Sequence, residues 1–369
     1  MKIAILTQPL CNNYGGILQN YALQTVLRRM GHQPVTLNTS TPKASYTPHR
    51  LVLSCCKRWL KKYIYSDPSI LFVNPLTQSR KAVELATEHK RFMEQHIAVE
   101  QVELPLMPEF CKAHDYETYV VGSDQVWRPR YNRQLANFYL DFTQGANVRR
   151  IAYAASFGVD EWEATEPMTE RLKTLAQSFD AISVREQSGV ALCDKYLHSL
   201  VTWVLDPTML LTADDYKDLA EKHNGKKAAQ QEYIAAYILD INKQKETQLA
   251  QLSQQTHLPI RYIGRMTTTD YPSIESWLNG IANAKYVVTD SFHGTVFSII
   301  FRKQFLAIGN LARGNARFES LLSMFGLEGR MTDIISADQL VADIDYVAVD
   351  AILSAEQNRA IEFLNKALG

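Results

Sequence analysis

The 369-residue sequence lacks several features, and each absence removes a class of function. It has no charge excess: lysine plus arginine equals aspartate plus glutamate at 39 each, so no global basic field points to nucleic acid, and any anion site must be local. It has no C-x-x-C pair. Its five cysteines, Cys11, Cys55, Cys56, Cys111 and Cys193, include an adjacent pair with poor zinc or disulfide geometry, which fits a reduced, metal-free setting. No segment reaches the roughly 18 uninterrupted apolar residues of a spanning helix. The apolar start, Lys2 to Thr7, runs straight into Gln8-Pro9 and is too short for a secretory leader, so a cytoplasmic location is expected. The G-x-G-x-x-G fingerprint is also missing, which argues against a dinucleotide site, and no cofactor is called for.

What is present is an alternation of apolar strands and helical stretches, with 46% hydrophobic and 21% charged residues. The length suits two domains of ordinary size. Lys2 to Thr7 reads as a strand, Asn12-Asn13-Tyr14-Gly15-Gly16 as a loop, Ile17 to Met30 as a helix ended by Gly31, and Val35-Thr36-Leu37 as the next strand: a βαβ opening with a glycine pair at its turn. Between about 40 and 75 the composition turns to Ser, Thr, Pro and basic residues around a helix, His49 to Tyr65, whose Lys57, Arg58, Lys61 and Lys62 lie beside Trp59, Leu60, Tyr63 and Ile64. Such a helix can dock peripherally on anionic lipid; more often it is a surface helix with a solvated face. Helical periodicity resumes from Ser79 to His96.

Three more strands end in small or polar residues: Tyr116 to Val121 before Gly122-Ser123-Asp124-Gln125-Val126-Trp127, Ile151 to Ala155 before Ser156-Phe157-Gly158, and Ala181 to Val184 before Arg185-Glu186. In a parallel sheet these loops share one edge with Gly15 and Gly16. Val204-Leu205-Asp206-Pro207-Thr208 reads as a hinge, with Asp206 able to cap the following helix. The alternation then restarts with Tyr233 to Leu239, Lys243 to His257 and Ile260 to Gly264. The expected architecture is α/β: two Rossmann-like domains, 1–205 and 206–369, facing across a cleft, with the last helix packing back on the first domain.

In the second half, Tyr286-Val287-Val288-Thr289 reads as a buried strand and runs into Asp290-Ser291-Phe292-His293-Gly294-Thr295, with Asp290 and Ser291 placed to cap the helix that follows. His293 therefore stands at a strand-to-helix junction, where open α/β sheets bind ligands and where helix N-termini favour anions. By itself a lone histidine there is more often a capping or core residue.

Taken in order, Asn12 to Gly16, Val121 to Trp127, Tyr153 to Gly158, Ser183 to Glu186, Asp206 to Thr208 and Asp290 to Gly294 form a series that resembles the polysaccharide pyruvyl transferase family, over residue 1 to about residue 335. The resemblance implies a fold like that of GT-B glycosyltransferases. It also implies transfer of a pyruvyl group from phosphoenolpyruvate onto a sugar of a bacterial-type surface polysaccharide or its precursor, lipid-linked or free, as a cyclic ketal. In characterised members the segment matching Asp290 to Gly294 resembles Arg-Leu-His, so an arginine stands where Ser291 stands here; Arg313 and Arg317 are the candidates to supply that charge.

With the family in view, His293 becomes the expected general acid or base. Arg185, at a strand end facing the same cleft, is the expected donor-anion and catalytic partner, unless it pairs structurally with a carboxylate such as Asp206. Ser291, His293, Gly294, Arg313 and Arg317 would complete the donor site. Asn13, Gly15, Gly16, Ser123, Asp124 and Trp127 would meet the sugar, Trp127 by stacking on its apolar face. Two other readings remain: a GT-B-type glycosyltransferase using a nucleotide sugar, and a non-catalytic carbohydrate-binding component.

Overall fold

The computed structural model describes residues 1–11, 13–39, 87–224, 231–265, 271–309 and 314–369. The expected basic helix and Arg313 lie outside the described residues. The first sheet contains β1 (Lys2–Leu6), β2 (Gln33–Thr39), β3 (Val99–Val102), β4 (Thr118–Asp124), β5 (Arg149–Ala155), β6 (Ala181–Val184) and β7 (Thr202–Trp203). Their order is β3-β2-β1-β4-β5-β6-β7, with every pairing parallel. The helices of this half are α1 (Tyr14–Arg29), α2 (Thr87–His96), α3 (Pro108–Ala113), α4 (Glu166–Ala176) and α5 (Gln187–Leu192).

The second sheet contains β8 (Ile234–Tyr237), β9 (Ile260–Tyr262), β10 (Tyr286–Thr289), β11 (Gln304–Ile308) and β12 (Met331–Thr332), in the order β12-β11-β10-β8-β9 and again all parallel. Its helices are α6 (Ala213–Asn224), α7 (Lys243–Thr256), α8 (Ile274–Ala282), α9 (Phe292–Ile300), α10 (Ala316–Met324), α11 (Ala337–Val341) and α12 (Tyr346–Leu368). These are two Rossmann-like units, the α/β class expected from the alternation.

The strand orders fix where a ligand can bind. In the first sheet the order reverses between β1 and β4; in the second it reverses between β8 and β10. Loops that leave such a pair of strands diverge to opposite faces and open a crevice at their carboxyl ends. Here both crevices open onto one cleft of about 820 Å³, lined by Gln8, Asn13 and Asp124 from the first and by Tyr237, Asp290 and His293 from the second.

The two units are packed together and not merely linked. One apolar cluster runs from Ile3, Ile5 and Val120 of the first sheet to Ala235, Val287 and Phe305 of the second. Tyr14, at the start of α1, is buried against the second unit: its ring stacks on Trp277 at 5.4 Å and its hydroxyl donates to the Pro272 carbonyl at 2.6 Å. Helix α9 is buried along its whole length, as its nearly continuous apolar sequence requires. Helix α12 returns to the first sheet, where Phe363 approaches Tyr153 and Arg149 donates to the Ala367 carbonyl at 3.1 Å.

Candidate active site

Helix α9 begins at Phe292, directly after Ser291, which takes the N-cap position as its sequence suggests and accepts from the Gly294 N–H at 3.4 Å. That places His293 in the first helical turn, at the strand-to-helix junction. Its imidazole reaches across to the other unit and rests on Gly15. A Cβ built on Gly15 would stand 1.9 Å from His293 Nδ1, so no other residue fits under the ring in this arrangement. Gly15 and Gly16 are themselves in the first turn of α1, which starts at Tyr14 and not at Ile17. The glycine pair is therefore not a loop. Gly15 is the seat of the histidine, and Gly16 packs beside the Asn13 side chain.

The other edge of the imidazole faces a buried carboxylate. His293 Nε2 is 3.7 Å from Asp206 Oδ2, longer than a hydrogen bond and within ion-pair reach when the ring is protonated. Asp206 is tightly held. Oδ1 accepts from the Thr208 N–H and hydroxyl at 3.0 and 2.6 Å, and Oδ2 accepts from Ser123 Oγ at 3.1 Å and Arg185 Nη1 at 2.6 Å. Burial pushes this carboxyl up, but the adjacent His293 and the Arg185 charge outweigh it and hold the group well below the usual carboxylate range. For Arg185 burial works the other way, and the charges of Asp206, Asp124 and Glu186 more than compensate, so its pKa is raised.

This geometry corrects three expectations. Arg185 does not face the cleft: its side chain is 1% exposed, ion-paired to Asp206 and covered by the Phe292 ring at 4.5 Å. Ser123 is fully buried because β4 continues past Val121 to Asp124, which keeps its hydroxyl inside the sheet edge and on Asp206. Trp127 is a core residue, its indole stacked on Tyr139 at 4.6 Å and donating to the Phe138 carbonyl at 2.8 Å, so no sugar can lie on it.

The remaining expected residues do come together. Asn13, Asp124, Ser291, His293 and Arg317 line the one cleft. Gly294 lies just beneath, where a Cβ would stand 2.2 Å from Thr289 Oγ1. Arg317, in the first turn of α10, has its guanidinium carbon 5.5 Å from the Phe292 ring centre. Burial and then the like charge of Arg185 push it down to about 10. Two guanidiniums therefore approach one phenyl ring: Arg185 is ion-paired to Asp206, and Arg317 lines the cleft. Sequence reasoning took Asp206 for a hinge and cap residue. Its cap to Thr208 is real, but its contact with His293 joins segments that no local signal connects.

A family model for polysaccharide pyruvyl transferases matches residues 13–311, most of the chain and, Arg317 apart, the residues just described. The chain belongs to the polysaccharide pyruvyl transferase family. Among curated proteins no sequence matches significantly. Solved structures that resemble this family member include Arabidopsis thaliana UGT89C1 complexed with UDP-L-rhamnose, at TM-score 0.53 and 8% identity over 98% of both chains. UDP-GlcNAc 2-epimerase from Neisseria meningitidis matches at TM-score 0.51 and 9% identity, covering 100% of this chain and 99% of its own. The Methanocaldococcus jannaschii UDP-GlcNAc 2-epimerase matches at 0.50 and 10%, covering 99% of both. At such identities the likeness establishes the fold: this pyruvyl transferase family member is built like GT-B enzymes. None of its described helices is long and apolar enough to cross a membrane.

Proposed function

We propose that the protein transfers a pyruvyl group from phosphoenolpyruvate to a sugar of a surface polysaccharide or its precursor, forming a cyclic ketal. The observation that carries this reading is the seating of His293 on Gly15, in the first turn of a helix, within a cleft shared by both units that Arg317 also lines. Ketal formation from an enol phosphate needs a proton delivered to the methylene carbon, and a positioned imidazole is worth roughly 10²- to 10⁴-fold in such a transfer. The donor carries a phosphate and a carboxylate, which suit Arg317 together with the N–H groups of the first turn of α9. Arg317 thus takes the charge that Ser291 does not supply. Arg185 acts at one remove: it holds Asp206, and Asp206 orients the imidazole.

The test is phosphate release by the purified protein from phosphoenolpyruvate with a panel of acceptor sugars. Turnover that depends on both donor and acceptor is expected, and His293→Ala should abolish it. Equal release by His293→Ala and wild type removes His293 as the proton carrier. The competing reading, nucleotide-sugar transfer, shares only the fold with this site; stabilisation against heat by UDP- or GDP-sugars but not by phosphoenolpyruvate would favour it.

A further inference from the structure

We propose that Asp124 is the base that takes the proton from the attacking sugar hydroxyl, a role that rests on the pyruvyl-transfer reading above. Asp124 ends β4, on the wall of the cleft that the first unit supplies, and lines that cleft together with His293 and Arg317. Its backbone is held at φ +75°, a left-handed conformation that costs a non-glycine residue on the order of 1 kcal/mol and is tolerated best by Asn and Asp. Such strain persists where the surroundings over-determine it, and it concentrates at functional sites.

The carboxylate is only partly engaged. Oδ1 accepts from the Gln125 N–H at 2.8 Å and lies 3.8 Å from Arg185 Nη2, whereas Oδ2 has no hydrogen-bond partner among the described residues. The other aspartate on the cleft wall is saturated: Asp290 Oδ1 accepts from the Leu239 N–H at 2.6 Å, and its Oδ2 accepts from the Asp240 N–H at 3.1 Å and Lys245 Nζ at 2.7 Å. Asp206 is buried beneath His293 with both oxygens occupied. Asp124 is the cleft aspartate with an oxygen to spare.

The reaction needs such a group. Phosphoenolpyruvate and a sugar diol give a ketal and phosphate: the methylene carbon gains one proton, the carbon that bore the phosphate forms bonds to two sugar oxygens, and its bond to the phosphate oxygen breaks with the electron pair leaving on phosphate. In the first addition His293 gives its proton to the methylene while the first hydroxyl oxygen bonds to the neighbouring carbon and loses its proton to Asp124. In the second, phosphate departs, the second hydroxyl oxygen bonds to the same carbon, and its proton leaves on the phosphate. Exchange with water then moves the proton from Asp124 back to His293, and the balance closes. Acid and base come from opposite walls, so the acceptor enters between them.

Two substitutions test this in the full chain. Asp124→Asn keeps the shape and tolerates positive φ; Asp124→Gly removes the carboxylate and relieves the strain, so it retains the fold if Asn does not. Both are expected to lower phosphate release in the presence of acceptor by about 100-fold or more, while phosphoenolpyruvate stabilises them against heat as it does the wild type. Activity within about threefold of wild type in either variant overturns the assignment. Loss of donor stabilisation in both overturns it too, because Asp124 would then be shaping the donor site. A wild type that releases no phosphate with any acceptor overturns the donor reading, and this role with it.

Discussion

The Cα of Gly15 and the imidazole of His293 are in contact across the two units, closely enough that a methyl group on Gly15 would stand 1.9 Å from Nδ1. The histidine cannot occupy its place unless residue 15 has no side chain. Gly15→Ala is therefore expected to displace the ring and lower turnover by about 100-fold or more, comparable to the loss of a proton carrier. The fold should lose only about 1–3 kcal/mol, the usual result of overpacking. Steady-state phosphate release and thermal unfolding measured on the same sample check both; unimpaired turnover would show that the seat is not required.

Arg317 lines the cleft, and Arg185 is ion-paired to Asp206. Arg317→Met preserves much of the packing on Phe292 and removes the charge. The expected outcome is a donor affinity weakened by about 10-fold or more, in line with about 1.5–3 kcal/mol for a charge-assisted hydrogen bond. Titration with phosphoenolpyruvate followed by thermal shift measures it, and an unchanged affinity would assign the donor anion to another group.

Asp206 holds Arg185 and backs His293 from full burial. Removing its charge leaves a buried guanidinium uncompensated, and Asp206→Asn is expected to destabilise the protein by roughly 3–5 kcal/mol. The carboxyl is held below its ordinary pKa of 3.8, so its stabilising contribution is present above that value and is lost as pH falls below it. The variant should accordingly lose less stability than wild type as pH falls from about 4 to about 2, a difference that denaturant melts can resolve.

His89 offers a second pH signature of opposite chemical type. It is fully buried at the contact between the units, with Nε2 3.2 Å from the Pro272 carbonyl and its ring against Tyr14, and burial pushes it down from 6.5 to about 4. Between those values the unfolded chain takes up a proton that the folded one refuses. Stability should fall as pH drops from about 6.5 to about 4, by at most about 3 kcal/mol, and level off below. His89→Gln should flatten that limb. An identical slope in the variant would place the effect elsewhere.

How much of this was legible follows from what each signal encodes. Strands such as Val287-Val288-Thr289 and Gln304 to Ile308 declare themselves because their branched and apolar residues are bounded by breaks in pattern, and the alternation with helices fixed the α/β class. Helix starts were unevenly legible: Ser291 reads as a cap and holds the N-cap position, whereas Gly15-Gly16 reads as a loop, since a glycine pair suggests a turn, yet Asn13 is the N-cap and the helix begins directly after it. Depth was the least legible. The β4 ladder continues through Gly122 opposite Tyr153 and Asp124 opposite Ala155, and that continuation buries Ser123. The pairing of Arg185 with Asp206 was one of the two readings open for that arginine, but nothing local decides between them, because the pair forms only when β6 and the hinge have folded side by side.

The return of α12 to the first sheet also bears on how the chain is made. Its buried Ala360 and Leu364 and its Phe363 cover a face of β5 that is synthesised some two hundred residues earlier. During translation the first unit must wait, with that apolar face uncovered, until the ribosome has finished everything that precedes α12. The first unit therefore completes its packing on β5 only after the last helix has been made.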